Sequence, residues 1–232
     1  MIPLRDDNPS ERKPVVTVAL VAICTLVFLW QFARGSRGGQ EIVYALGLVP
    51  SVLFGFHDLP ADIALVPPSV TLFTSMFLHG GWMHLIGNML YLWIFGDNVE
   101  DSMGHGRFIV FYLLCGVAAA LAQAVPDPHS IVPMVGASGA ISGVLGAYLL
   151  LYPHARILVL IPLGFFLQTV RLPASIVLIL WFGLQFLSNL FTKSDVGGVA
   201  FRAHIGGFVA GMLLIGLFKR RGVRLLHPFR TS

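Results

Sequence analysis

Six long apolar segments constrain this chain more than any other feature of its sequence. They occupy roughly residues 14–33, 78–96, 107–125, 136–153, 173–191 and 201–218. An α-helix needs about 20 residues to cross a hydrocarbon layer of about 30 Å. The sequence therefore predicts an all-α fold, a polytopic membrane protein with a bundle of six transmembrane helices.

The composition excludes the commonest alternatives. Of the 232 residues, 56% are hydrophobic and only 11% are charged, whereas soluble domains carry about 25% charged residues. A soluble globular enzyme and a disordered chain are both excluded on this ground. The net charge is only +4, and the basic residues form no continuous stripe, so no nucleic-acid partner is predicted. The predicted environment is the lipid bilayer.

The chain divides into three parts by polarity. Residues 1–13 form a short polar N-terminal segment, residues 14–219 hold the six spans, and residues 220–232 form a short basic tail. Within the six-span domain, a long loop at 34–77 is itself apolar and is interrupted by prolines. We expect this loop to form short helices that lie partly in the membrane interface.

A second connection also carries an apolar sequence. Residues 155–168 are too few for a span, and they contain Pro162 and Gly164, which disfavour a long helix. We therefore predict an interfacial or re-entrant connection between the fourth and fifth spans.

The distribution of Lys and Arg predicts the orientation. If both termini face the cytoplasm, eleven of the 15 Lys and Arg residues lie on the inner side, as the positive-inside rule requires. The inner ones are Arg5, Arg12, Lys13, Arg107, Arg156, Arg171, Lys219, Arg220, Arg221, Arg224 and Arg230. We expect a multi-pass protein of the cell (inner) membrane with both termini cytoplasmic.

Few polar side chains lie within the predicted spans, and those that do are costly unless they function. His84 and Asn88 lie one turn apart on the second span, Ser138 opens the fourth, and His204 lies near the start of the sixth. In the predicted topology, these three spans all begin at the outer face. His84, Ser138 and His204 therefore reach a similar depth in the outer half of the bilayer.

Glycines predict which of these spans are neighbours. Gly139 and Gly143 lie four residues apart on the fourth span, and Gly207 and Gly211 do so on the sixth. Small residues at this spacing allow membrane helices to approach closely. We expect the fourth and sixth spans to touch, which would bring Ser138 and His204 together.

This arrangement suits a serine hydrolase. A serine hydroxyl becomes a good nucleophile when a base removes its proton, and His204 is the candidate base for Ser138. The start of a helix and the side chains of His84 and Asn88 offer hydrogen-bond donors to an oxyanion. No carboxylate lies near these residues within the three spans, so we predict a Ser–His dyad without a third acidic member. The histidines lack the spacing and carboxylates of a zinc site, so neither a metal nor another cofactor is predicted.

Three motifs in this order resemble the signatures of the rhomboid family of intramembrane serine proteases. They are Gly136-Ala137-Ser138-Gly139, His84xxxAsn88 and His204xxGly207xxxGly211. The resemblance implies Ser138 as nucleophile and His204 as base. It also implies an oxyanion hole formed by His84, Asn88 and the Ser138 backbone N–H, and substrates that are transmembrane proteins cut near the outer end of their helices.

One departure from the family pattern concerns the base. Many rhomboids carry an aromatic residue four positions after the nucleophile, where this chain has Ser142. On the fifth span, Trp181 and Gln185 lie one turn apart, and they are interpreted as packing residues or as residues that control access of the substrate. Two alternative functions stay open, an inactive relative that escorts membrane helices and a small transporter or channel.

Overall fold

The structure is a computed structural model that describes residues 2–163, 166–191 and 200–226. The longer helices are α1 (Val15–Ala33), α2 (Gly35–Leu46), α5 (Trp82–Met103), α6 (His105–Ala124), α7 (Ser138–Leu151), α8 (Ala174–Phe191) and α9 (Phe201–Phe218). Two single-turn helices, α3 (Pro50–Leu53) and α4 (Thr71–Thr74), and the 3-10 turns Pro68–Val70 and Ser75–Phe77 lie between α2 and α5.

Each of the six apolar segments forms a helix at the predicted place. Among the described residues, α1, α6 and α9 are long and apolar enough to cross a membrane, and α7 and α8 are shorter apolar helices. The remaining helix, α5, is 22 residues long, but its polar side chains lower its mean hydropathy. The protein is an integral membrane protein with a mainly helical bundle, and the number of six crossings stays a prediction.

Helix α7 forms the centre of the bundle. It packs against α5, α6 and α9, and nearly all of its residues are buried. By contrast, α1 and α8 lie at the periphery, where large apolar side chains such as Leu26 and Leu184 are exposed. Exposed apolar surface of this kind is stable in contact with lipid acyl chains and unstable in contact with water.

The predicted long loop at 34–77 contains several short helices, as expected from its sequence. It is tied to the segment that precedes α7, because Leu48 and Met134 exchange two backbone hydrogen bonds of 3.0 and 2.7 Å. The loop therefore supports the start of α7. Its depth in the membrane stays a prediction.

The fold is mainly helical as predicted, but it is not all-α, because the chain also forms a three-stranded sheet. The strands are β1 (Ile2–Asp6), β2 (Arg156–Leu163) and β3 (Phe166–Pro173), in the order β1-β2-β3 with antiparallel pairing. The sheet lies at the end of the bundle where α7 finishes. The opposite end, where α5, α7 and α9 begin, is called the site end below.

The segment 155–168, predicted as an interfacial or re-entrant connection, is mostly strand. Ile157 and Val159 are β-branched, a feature that favours extended backbone. The two residues are two positions apart, so their side chains lie on the same face of the strand. Both side chains are completely buried against the helices. Pairing with β1 and β3 provides hydrogen-bond partners for the backbone groups, which an isolated re-entrant loop would lack.

Strand β1 brings a carboxyl group to the C-terminal end of α7. The Tyr148 hydroxyl donates a 2.6 Å hydrogen bond to Asp6 Oδ2. Burial raises the pKa of Asp6 to about 7 from 3.8, and the hydrogen bond from Tyr148 only partly opposes this effect. A carboxyl group whose pKa is raised by folding stabilises the folded state while it is protonated. This stabilisation is complete at pH values below the pKa of the unfolded chain and is lost as the pH rises through about 7.

Attachment of β1 is therefore expected to weaken as the pH rises from about 5 to 8. The measurement is the hydrogen-exchange protection of the N-terminal peptide, with the peptides of α6 as an internal control. Asp6→Asn mimics the protonated carboxyl and should make the protection of β1 independent of pH over this range. An equal loss of protection in Asp6→Asn would show that another group is responsible.

Candidate active site

Ser138 is the first residue of α7 and follows a backbone turn that requires glycine. Gly136 has a φ of 130°, a region that favours glycine, and its N–H donates to the Ser75 carbonyl at 2.9 Å. A side chain at Gly136 would also lie 2.8 Å from the His84 ring. The turn thus starts the helix at Ser138, where the first backbone N–H groups have no partner within the helix.

His204 reaches Ser138 from α9. Its Nε2 lies 2.8 Å from Ser138 Oγ, which is a hydrogen-bond distance and the separation that activation of a serine by a histidine requires. The side chain is buried, with 7% of its surface exposed. Two residues that are 66 positions apart in the sequence thus form the pair that the polar positions predicted.

The contact between α7 and α9 depends on the absence of side chains. A Cβ atom at Gly207 would overlap the carbonyl of Gly139, and one at Gly211 would overlap the backbone of Gly143. Farther from α9, a Cβ at Gly139 would lie 2.6 Å from the Cβ of Ala119 on α6. These glycines bring the three helices together directly below the Ser138–His204 pair.

His84 and Asn88 project from the first two turns of α5 toward the same cavity. The Gly80 N–H donates to His84 Nδ1 at 3.3 Å; in a neutral ring, Nε2 then carries the hydrogen. This Nε2 lies beside Gly136. Asn88 is buried, and its Nδ2 has no hydrogen-bond partner among the described residues, although buried donors nearly always have one.

One large cavity at the site end is lined by Ser138, His204, His84 and Asn88. Its volume is about 990 Å³, and Trp181, Gln185 and Gln123 also line it. A cavity of this size accommodates several residues of an extended peptide together with water. Ser138, His204, His84 and Asn88, which the sequence predicted as one site, are therefore brought together by the structure.

Gln185 is the contact that sequence reasoning missed. Its Oε1 lies 2.8 Å from Nδ1 of His204, and the Trp181 ring lies 5.8 Å from the imidazole, at 36° to it. The sequence alone predicts only packing or access roles for both residues, because their side-chain directions depend on the rotation of α8. The small Ser142, at the position where many rhomboids carry an aromatic residue, donates instead to the Ser138 carbonyl at 2.6 Å.

Comparison with known proteins decides the family. The family profile described as Rhomboid domain matches residues 68–221. This range includes Ser138 and His204, and also His84 and Asn88 on α5. The chain belongs to the rhomboid family. Members whose sequences resemble it include the rhomboid protease GluP of Bacillus subtilis, 32% identical over 90% of this chain. Rhomboid protein 1 of Saccharomyces cerevisiae mitochondria is 29% identical over 75% of the chain.

Both relatives are longer proteins. This chain spans 37% of the length of GluP and 52% of the length of the yeast protein. The rhomboid-like protease 5 of Toxoplasma gondii is 33% identical over 67% of this chain, which spans 16% of that protein. The similarity therefore concerns the rhomboid domain.

Residues 2–163, 166–191 and 200–226 contain no group of three or more His, Cys, Asp or Glu side chains that could hold a metal ion. Cys24 and Cys115 are both buried and unpaired with each other.

Proposed function

We propose that this rhomboid domain is an intramembrane serine endopeptidase that uses Ser138 as nucleophile and His204 as base. The carrying observation is the 2.8 Å contact between Ser138 Oγ and His204 Nε2 at the wall of a large cavity within a membrane bundle. An inactive escort protein would need neither this contact nor an unpaired donor beside it. A transporter or channel is disfavoured by the same pair, which has no role in conduction.

In the proposed acylation step, Ser138 Oγ attacks the carbonyl carbon of the substrate, and its proton passes to His204 Nε2. The resulting oxyanion accepts hydrogen bonds from the Ser138 backbone N–H, His84 Nε2 and Asn88 Nδ2. The C–N bond then breaks, and the imidazolium gives its proton to the departing amine. An acyl-enzyme on Ser138 remains.

Deacylation repeats these steps with water. His204 removes a proton from a water molecule, the resulting hydroxide attacks the ester carbon, and the proton returns to Ser138 Oγ as the acyl group leaves. Water is scarce in a hydrocarbon environment, and the cavity of about 990 Å³ offers a route by which it reaches the site. No cofactor takes part in this scheme.

The proposed substrates are transmembrane proteins cut near the outer end of a helix. We propose that α1 and the five helices from α5 to α9 cross the membrane and that both termini are cytoplasmic. The positive-inside distribution of Lys and Arg supports this orientation. The site end is then the outer end of the bundle.

A narrow cavity of about 20 Å³ adjoins Ser138. Ala119, Ala140 and Gly116 form part of its wall, together with the larger side chains of Met76 and Met134. This volume exceeds the roughly 10–15 Å³ that one water molecule needs, so it suits a methyl group better than a large side chain. We expect a small residue immediately before the bond that is cut.

Helix unwinding is expected to control which substrates are cleaved. A regular helix holds its carbonyls in hydrogen bonds, so the segment must open before Ser138 can attack it, and opening in lipid is costly. A substrate with Gly-Ala near the outer end of its helix should be cleaved about fivefold faster than one with Leu-Leu, because Gly weakens a helix by about 1 kcal/mol. The measurement is the initial rate in proteoliposomes.

The two substrates must be inserted equally, which protease protection of their loops verifies. A third version with Gly-Ala at the inner end of the helix is the matched control and should be cleaved as slowly as Leu-Leu. Equal cleavage of all three versions would contradict both the unwinding step and the outer position of the cut.

Loss of an oxyanion donor should slow chemistry without preventing binding. Asn88→Ala and His84→Ala each remove one donor and leave the Ser138 N–H, so each is expected to lower kcat by about 10²–10³. Ile86→Ala is the control on the same helix, because the Ile86 side chain is exposed and does not line the cavity. If kcat at saturating substrate is unchanged in both Asn88→Ala and His84→Ala, these side chains do not bind the oxyanion.

A further inference from the structure

Helix α8 approaches the base from the side opposite to Ser138. Trp181 and Gln185 lie four residues apart and therefore share one face of α8, and both contact the His204 ring. Trp181 also lies 6.2 Å from the ring of Phe208 on α9 and 6.4 Å from that of Tyr91 on α5. These ring contacts fix the rotation of α8 with Gln185 directed at the imidazole.

The two nitrogens of His204 then have different partners. For His204 to act as a base, Nε2 must accept the hydrogen bond from the Ser138 hydroxyl, so the hydrogen of the neutral ring lies on Nδ1. This Nδ1–H lies 2.8 Å from Gln185 Oε1, which is an acceptor. The amide thus favours the tautomer in which His204 can remove the proton of Ser138.

We infer that Gln185 is a positioning residue of the active site: its amide oxygen holds His204 in the ring orientation and tautomer that activate Ser138. This inference rests on the proposed function. It replaces the predicted two-residue dyad with a Ser138–His204–Gln185 chain, in which the third member is neutral.

A neutral third member suits this position. When His204 takes the proton of Ser138, the ring becomes positively charged, and the partial negative charge of the Gln185 oxygen stabilises it. A carboxylate would do so more strongly, but a charge on a membrane helix is costly when the ring is neutral. An amide provides the orientation without that cost.

The test compares an apolar and an acidic replacement of Gln185 in the full chain. Gln185→Leu removes the acceptor and should lower kcat by about 10²-fold, within the range that correct placement of a base contributes, while KM changes less than about twofold. Gln185→Glu keeps a side-chain oxygen that can accept the hydrogen bond of His204 Nδ1, so it should retain kcat within about tenfold of the wild type. Leu184→Ala, on an exposed part of α8, is the control for general perturbation of the helix.

A spectroscopic measurement separates positioning from packing. The ¹⁵N chemical shifts of His204 should report a hydrogen on Nδ1 in the wild type and in Gln185→Glu, and a shift toward the Nε2–H tautomer in Gln185→Leu. This measurement needs no turnover, and a Gln185→Met variant repeats it if Gln185→Leu does not fold.

Four results would overturn the inference: wild-type kcat in Gln185→Leu, a change confined to KM, equal losses in Gln185→Leu and Gln185→Glu, or an unchanged tautomer. Failure of the proposed function would differ from all of them, because the wild type would then cleave no substrate, or Ser138→Ala would still cleave it.

Discussion

Ser138→Ala and His204→Ala are each expected to lower kcat by at least about 10⁴-fold, and the double variant should lose little more. A nucleophile and its base act as a unit, so removal of either one removes most of their joint contribution. The measurement is single-turnover cleavage of a transmembrane substrate by the purified protein in proteoliposomes. Both variants should keep the wild-type unfolding temperature within a few degrees, because neither residue fills a large part of the core.

Ser142→Ala is the matched control for this prediction. Ser142 lies one turn after Ser138 on the same helix. Its hydroxyl donates a hydrogen bond to the Ser138 carbonyl and not to His204. Its loss should change kcat by less than about tenfold. Turnover by Ser138→Ala at a rate near that of the wild type would show that another group is the nucleophile.

The second large effect is expected at a residue that touches no reacting atom. Gly207→Leu places a side chain where the Gly139 carbonyl now lies, so α9 must move away from α7. Because a displacement of about 1 Å between reacting groups can cost about 10²-fold in rate, kcat should fall by at least that factor. The unfolding temperature should also fall, since close contact stabilises membrane helix pairs.

Gly216→Leu provides the control on the same helix. A Cβ at Gly216 meets nothing within 4 Å, so the same increase in volume should leave both kcat and the unfolding temperature close to the wild-type values. If Gly207→Leu were as active as Gly216→Leu, the distance between α7 and α9 would not set the distance between nucleophile and base.

The helices could be predicted from the sequence because their signal is local. A run of about 20 apolar residues indicates a helix without reference to the rest of the chain, and helices form at all six predicted segments. The polar residues inside these runs were conspicuous for the same reason. The expected proximity of Ser138 and His204 needed one more step, the spacing of Gly207 and Gly211, which is also local.

The sheet could not be predicted in this way. Strand β1 is five residues long and pairs with β2, so that Ile2 lies opposite Leu160. The two strands are far apart in the sequence, so no turn motif between them indicates the pairing. Neither segment carries a clear alternation of apolar and polar residues. In β2, the alternation of Ile157 and Val159 is interrupted by further apolar residues, and the segment therefore resembled an apolar connection.

The environment of His204 was the least predictable part of the site. The sequence lacks an acidic partner for this residue, and a dyad followed from that absence. Gln185 is a visible polar residue in an apolar segment, but whether its amide faces His204, the lipid or another helix depends on the rotation of α8. That rotation is fixed by ring contacts such as Trp181 with Phe208, which only the packed structure reveals.

The most direct test of the account identifies the nucleophile chemically. The purified protein in proteoliposomes is treated with a fluorophosphonate, which forms a covalent bond with activated serines, and the adduct is located by mass spectrometry of peptides. The account predicts a single adduct on Ser138 in the wild type and in Ser142→Ala, and at least about 10²-fold slower labelling in His204→Ala. An adduct on another residue, or labelling of Ser138 at the same rate without His204, would contradict it.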